Sequence, residues 1–141
     1  MGYGYISSEN YIPESQEKTA INEHRIFQQF ISKDQLGILS LTHRYRVEQR
    51  FVEKDFKMRF RYFLAANIPL IKTEDGGSKL YFSAYNEVFL NAKSKVFDRN
   101  RVYGGFGFQL NRHIRMEAGY MNQMFEASRR DQFNLITFIT F

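Results

Sequence analysis

Arginine occurs at every second position in two neighbouring segments of the sequence. Arg44, Arg46 and Arg50 alternate with apolar residues in "LTHRYRVEQRF", and Arg59 and Arg61 do the same in "FKMRFRYF". Guanidinium groups bind carboxylates and other anions through planar pairs of N–H donors. Residues two apart in a β-strand point to the same face, so this spacing predicts two strands that each carry a basic face. The chemistry on offer is anion binding or charge pairing across a sheet.

The elements that must position these residues are β-strands, and the sequence predicts eight of them. Alternating segments are separated by turn-forming residues, and no segment has the 3.6-residue period of a helix. The 141 residues predict a single domain, residues 1–141. We expect an all-β fold, an antiparallel up-and-down meander closed into a barrel, because closure removes exposed edges. The predicted strands are Gly2–Ser7, Asn22–Ile31, Leu39–Val52, Phe56–Ile71, Lys79–Leu90, Arg101–Leu110, Ile114–Phe125 and Gln132–Phe141.

The apolar face of these strands is rich in aromatic rings. The interior of an eight-stranded barrel is only just wide enough for ordinary side chains, so this face would overfill it, whereas lipid sets no volume limit. Several strands also reach the roughly 9–11 residues that a tilted membrane strand needs. We therefore predict a transmembrane β-barrel with the apolar face on lipid and a polar interior. The rings on the apolar face are Phe30, Phe51, Phe56, Phe60, Tyr62, Phe82, Phe106, Phe108, Tyr120, Phe133 and Phe141.

The charged residues of the opposite face are then candidates to line the lumen. Rings of arginine and lysine would favour an anion-selective path. Alternatively, Glu48, Glu87 and Glu117 pair with arginines across strands in a closed interior, because a buried charge without a partner is costly. We favour the paired interior, since such networks fill small barrels. The lumen-lining candidates are Arg25, Arg44, Arg46, Glu48, Arg50, Lys57, Arg59, Arg61, Glu87, Arg101, Arg115 and Glu117.

The last segment, "DQFNLITFITF", places Phe133, Leu135, Ile139 and Phe141 on one face and stops on phenylalanine. A terminal phenylalanine on an alternating strand resembles the signal by which bacterial outer-membrane barrels are recognised by their assembly machinery. The resemblance implies that this machinery is a partner of the C-terminal strand. It also implies an outer-membrane location, with the lipid bilayer around the barrel.

The body of the chain resembles a family of bacterial outer-membrane β-barrel proteins, domain of unknown function 2490, from Gram-negative bacteria and especially the Bacteroides–Flavobacterium group. The resemblance implies a barrel and brings no established activity or catalytic residue. Members usually carry further strands before "GYGYI", so we expect missing N-terminal strands and a larger barrel, on the order of a dozen strands. The start also lacks the features of a signal peptide. The matching stretches are "GYGYI", "EHRIFQQF", "HRYRVEQRF", "RFRYFLAANIPL", "YFSAYNEVFLN", "FDRNRVYGGFGFQLN" and "EAGYMNQ".

Together these features predict an integral outer-membrane barrel that serves as a structural barrel, a small pore or a subunit of an envelope complex. One alternative is a soluble up-and-down barrel that binds an apolar ligand. The other is an outer-membrane lipid-modifying enzyme that uses His43 on the apolar face. His24, His43 and His113 lie in no nucleophile motif and lack metal-ligand spacing, so we expect no catalytic residue, metal or cofactor.

Three further expectations concern partners, tyrosines and glycines. The net charge is +5, but the basic residues alternate with apolar ones and form no block, so we expect no nucleic-acid partner. The glycines of "GYGYI" and "YGGFGF" should allow close approach of strands or leave room for a neighbouring ring. Five tyrosines are predicted to belong to aromatic girdles at the membrane surface: Tyr3, Tyr5, Tyr85, Tyr103 and Tyr120.

Overall fold

Eight antiparallel strands form one sheet in sequence order. The computed structural model describes residues 1–11, 18–53, 55–73, 77–93 and 95–140. The predicted all-β meander is confirmed, since each strand pairs antiparallel with the next. In these ranges no helix is long and apolar enough to cross a membrane. The strands are β1 (Gly2–Tyr11), β2 (Lys18–Leu36), β3 (Leu39–Val52), β4 (Asp55–Lys72), β5 (Ser78–Asn91), β6 (Phe97–Gln109), β7 (Ile114–Phe125) and β8 (Arg129–Ile139).

The sheet is open, which differs from the closed barrel that the sequence predicted. Closure requires the first and last strands to meet in register. Among the described residues every ladder joins strands that are neighbours in sequence, and none joins β1 to β8. One edge of each end strand therefore keeps unpaired backbone groups.

Several connections are shorter than predicted. The predicted strands leave residues 32–38 as a connection, but β2 runs to Leu36 and β3 begins at Leu39. The turn is only two residues, with Gly37 at φ 61°, a left-handed conformation that glycine adopts without strain. β6 begins at Phe97, four residues before its predicted start. Polar residues extend these strands because one face of the sheet is itself polar.

The two faces of the sheet differ in both chemistry and exposure. Cross-strand partners share a face, and the pairs Glu48–Arg59 and Arg46–Arg61 therefore place the charged residues of β3 and β4 together. The opposing face carries aromatic pairs such as Tyr45–Tyr62. Glu48 is 0% exposed, whereas Phe133 on the other face is 76% exposed. No second layer covers this part of the chain, so the sheet must curl with its polar face inward.

Candidate functional site

The polar face of the sheet holds all of the sequence-predicted lumen-lining residues. They alternate along β2 to β7, and cross-strand pairing brings them onto one surface. We call this surface the polar face. Its predicted members are Arg25, Arg44, Arg46, Glu48, Arg50, Lys57, Arg59, Arg61, Glu87, Arg101, Arg115 and Glu117.

Glu48 is the centre of the charge network on this face. Arg59 donates to Glu48 Oε2 from Nε at 2.9 Å and from Nη2 at 2.6 Å. Arg61 Nη1 donates to the other carboxylate oxygen at 2.7 Å. Arg25 Nη1 lies 3.8 Å from Glu48 Oε2, and Arg46 Nη1 lies 3.7 Å from Glu48 Oε1. Four guanidinium groups thus surround one fully buried carboxylate.

Glu87 on β5 extends the network across two strands. Its Oε1 accepts from Arg61 Nη2 at 2.6 Å and from Arg44 Nη2 at 3.0 Å. Arg101 Nη1 lies 3.7 Å from Oε2. Arg61 also lies over the ring of Phe89, 4.5 Å from its centroid, which adds a cation–π contact. The paired arrangement expected for Glu48 and Glu87 is therefore present.

Glu23 is a third acidic centre that the sequence reasoning missed. It is 7% exposed, and Arg50 donates to both of its oxygens at 2.7 Å. Arg25 donates to Oε1 at 2.9 and 2.8 Å. The signal was available, because Glu23 is two residues from Arg25 and must share its face.

Glu117 does not pair with arginine, contrary to the prediction. It is 7% exposed, and its Oε2 accepts a hydrogen bond from the Tyr81 hydroxyl at 2.9 Å. Arg115, two residues away, instead lies over the rings of Tyr81 and Phe138, at 5.5 and 4.2 Å from their centroids. The Arg115 guanidinium is held by its ring contacts, and the Glu117 carboxylate therefore accepts its hydrogen bond from the Tyr81 hydroxyl instead.

A glycine makes the bond between Tyr81 and Glu117 possible. Tyr81 on β5 is paired with Gly107 on β6, which in turn is paired with Glu117 on β7. A Cβ at Gly107 would collide with the Tyr81 ring, so the ring crosses β6 only because glycine stands there. The expectation that a glycine of "YGGFGF" leaves room for a ring is confirmed at Gly107, whereas a Cβ at Gly104 would meet Phe82 only at 3.8 Å.

The opposite face carries the aromatic residues and is exposed; we call it the apolar face. Phe30, Phe60 and Phe106 are 66%, 44% and 57% exposed. On β8 the side chains of Phe133, Leu135 and Ile139 are exposed, and Phe141 lies outside the described residues.

The tyrosine prediction is partly wrong. Tyr3, Tyr5 and Tyr120 are exposed on the apolar face. Tyr85 and Tyr103 instead stack on each other on the polar face, with ring centroids 4.9 Å apart. They pair across β5 and β6 two residues from Glu87 and Arg101, and the two-residue period fixes their side.

The histidines do not assemble a catalytic group. His43 lies on the apolar face, as predicted, with Nδ1 2.9 Å from the Tyr62 hydroxyl and Nε2 3.5 Å from Asp34. His24 Nδ1 lies 2.7 Å from the Tyr3 hydroxyl. Within the described ranges, no three His, Cys, Asp or Glu residues group as a metal site requires. What the polar face offers chemically is a dense set of guanidinium donors.

Arginines outnumber the carboxylates with which they are in contact. The carboxylates are Glu23, Glu48, Glu87 and Asp98, and Asp98 accepts from Arg99 at 3.1 Å. The arginines on this part of the face are Arg25, Arg44, Arg46, Arg50, Arg59, Arg61, Arg99 and Arg101. The polar face therefore combines internal pairing with a surplus of positive charge.

These features define an all-β protein built as one curled, single-layered antiparallel sheet, polar inside and apolar outside. Over residues 1–134 the chain matches the family described as "Protein of unknown function (DUF2490)", and it belongs to that family. No curated protein and no solved structure matches the chain.

Proposed function

We propose that this chain forms the membrane-embedded wall of an outer-membrane β-barrel with a charge-paired interior. The observation that carries the proposal is that charged side chains are buried and aromatic side chains are exposed, the reverse of the arrangement in a water-soluble protein. Glu48, Glu87 and Arg59 are buried, while most large rings of the apolar face are exposed. In water such an exposed apolar surface would promote association, whereas lipid is the solvent that it suits.

The shape of the apolar surface also supports a membrane band. The C-terminal end of β3 and the N-terminal end of β8 lie on the same side of the sheet. On this side the last apolar residue of the apolar face is Phe51 in β3 and Phe133 in β8. If the band ran straight across the strands, these two would be level. Instead, pairing places Phe133 level with Leu41, ten positions before Phe51 on β3. The row runs through Phe133, Tyr120, Gly104, Ala84, Ala66 and Leu41.

An oblique band is what inclined strands produce. Strands of membrane barrels incline by about 35–45°, and with about 3.4 Å along a strand and 4.8 Å between strands, a level band drops about 1.0–1.4 residues per strand. Ten positions over the five steps from β3 to β8 is two residues per strand, a slope of the same order and steeper than that. A surface that binds an apolar ligand has no reason to follow such a line.

The open edges bear directly on the proposal. Unpaired backbone groups are not tolerated in the hydrocarbon region, so a membrane-embedded sheet must have both edges paired. We infer that β1 and β8 are paired in the membrane by further strands, as the family resemblance implies. The C-terminal strand would be the part that the assembly machinery recognises.

The two alternatives receive less support. The buried face of the sheet is charged, so an apolar ligand would find few apolar contacts there. This argues against a soluble barrel that binds an apolar ligand. His43 makes polar contacts with Tyr62 and Asp34, and Ser32, its cross-strand neighbour on β2, forms no hydrogen bond with it among the described contacts. A hydrolase would need a nucleophile in hydrogen-bonding reach of its base.

The test of location is expression with a secretion signal, followed by membrane fractionation and electrophoresis of heated and unheated detergent samples. The expected result is recovery in the outer membrane with a heat-dependent change in mobility. Recovery as a monomer in detergent-free buffer would overturn the proposal.

A small pore is the second candidate, favoured by the surplus of arginine over carboxylate on the polar face. Single-channel recording in planar bilayers separates it from a structural barrel. The pairing of Glu23, Glu48 and Glu87 leads us to expect no steady conductance. Anion-selective steps would favour the pore.

A further inference from the structure

Glu117 differs from the other buried glutamates in its partners. Glu23, Glu48 and Glu87 each lie within salt-bridge distance of at least two arginines. In the described part of the chain, no Arg, Lys or His nitrogen lies within 4.0 Å of the Glu117 carboxylate. A buried carboxylate that lacks a cation is costly, so the position favours a positive partner from outside the described contacts.

The surroundings of Glu117 are polar but supply no such partner. The Tyr81 hydroxyl donates one hydrogen bond to the carboxylate. The Tyr103 hydroxyl is also buried and has no well-aligned hydrogen-bond partner. Arg115 is the nearest cation along the strand, but its guanidinium packs against Tyr81 and Phe138.

A cavity opens next to this carboxylate at the end of the polar face. Its volume is about 290 Å³, at the small end of the range for small-molecule sites. Besides Glu117 and Tyr81 it is lined by Asn67, Pro69, Ser78, Gln109 and Arg115. The amide and hydroxyl side chains among these residues can accept hydrogen bonds, and the Arg115 guanidinium packs against Tyr81 and Phe138 without coming within 4.0 Å of the carboxylate. A group with several N–H donors and a positive charge would match both the carboxylate and these acceptors.

We propose that this cavity binds the ammonium group of a small organic cation, with Glu117 as its counter-ion. An ammonium group has three donors, so it can bond to the carboxylate and still reach Asn67 or Gln109. The inference goes beyond the proposed barrel and does not depend on it, because the cavity lies on the polar face whatever surrounds the apolar one.

The experiment is calorimetric titration of the purified, folded protein with n-butylammonium chloride, with n-butanol as the uncharged probe of similar shape. We expect saturable binding of n-butylammonium only. Glu117→Gln should weaken it by about tenfold or more, since a charge-assisted hydrogen bond is lost. Glu126→Gln is the matched control, because it removes an exposed carboxylate that pairs with Lys95 far from the cavity.

A second variant keeps the test decisive if Glu117→Gln does not fold. Ser78→Leu leaves Glu117 in place and fills part of the cavity, so it should also abolish binding. Two results would overturn the proposal: no saturable binding by the folded wild type, or equal binding by the wild type and the cavity variants. Neither result would touch the membrane proposal, which is tested by fractionation.

Discussion

Glu48 is the residue on which the charge balance of the polar face depends most. Its carboxylate accepts three hydrogen bonds from Arg59 and Arg61 and is 0% exposed. Glu48→Gln keeps the shape but removes the charge, which leaves buried guanidinium groups uncompensated. We expect the free energy of unfolding to fall by about 3–5 kcal/mol. Denaturant titration followed by far-UV circular dichroism measures it.

Glu126→Gln is the control for that change. Glu126 pairs with Lys95 at 2.8 Å, but both side chains are more than half exposed. Its loss should therefore change the free energy of unfolding by no more than about 1 kcal/mol. If the two variants lost equal stability, the network around Glu48 would not be a buried one.

Gly107 is predicted to be intolerant of any side chain. A methyl group there meets the Tyr81 ring, which must move and give up its hydrogen bond to Glu117. We expect Gly107→Ala to cost about 1–3 kcal/mol of unfolding free energy, as overpacking does. In a Tyr81→Ala background the same change should cost clearly less, and a double-mutant cycle measures the difference.

Gly104 supplies the matched control three residues away on the apolar face. A Cβ there would come no closer than 3.8 Å to Phe82, which is ordinary contact. Gly104→Ala should be neutral or slightly stabilising, because alanine reduces the freedom of the unfolded chain. Equal costs at both glycines would mean that backbone conformation, not the ring, requires glycine in β6.

At the scale of elements, alternation alone was enough to predict β3 and β7 with the bounds they have. It also assigned every predicted charged residue to one face, because a two-residue period admits only two sides. It could not predict that β2 reaches Leu36, since pairing with β3 extends a strand beyond its apolar pattern. Nor could it predict the partner of Glu117, because ring contacts with Arg115 span strands that are distant in sequence.

The slanted apolar band gives a depth-dependent prediction. Leu64 lies midway along the apolar-face residues of β4, and Asn122 on β7 lies at the margin of the band beside Asp131. In a bilayer, Leu64→Lys should cost about 2–4 kcal/mol of folding free energy, and Asn122→Lys close to nothing. Denaturant titration of both variants refolded into lipid vesicles measures this. Similar small costs for both would place the apolar face outside lipid.

At the scale of the whole molecule, the exposed apolar face and the open edges of the sheet lead to the same conclusion about closure. The apolar face suits lipid, yet lipid cannot satisfy the backbone groups that β1 and β8 leave unpaired. If the apolar face meets a membrane, as we propose, both features are reconciled only by a closed sheet. An open sheet with this surface would otherwise present two long edges for aggregation in water.

Backbone amide exchange tests closure without specifying what completes the ring. β4 and β5 have neighbours on both sides, so their amides should exchange slowly in any folded state. If the sheet is closed in lipid vesicles, the amides of β1 and β8 that do not bond to β2 and β7 should be protected to a similar degree. Deuterium uptake measured by mass spectrometry gives the comparison. Rapid uptake confined to those two edges, with β4 still protected, would mean that the sheet stays open and does not span the bilayer.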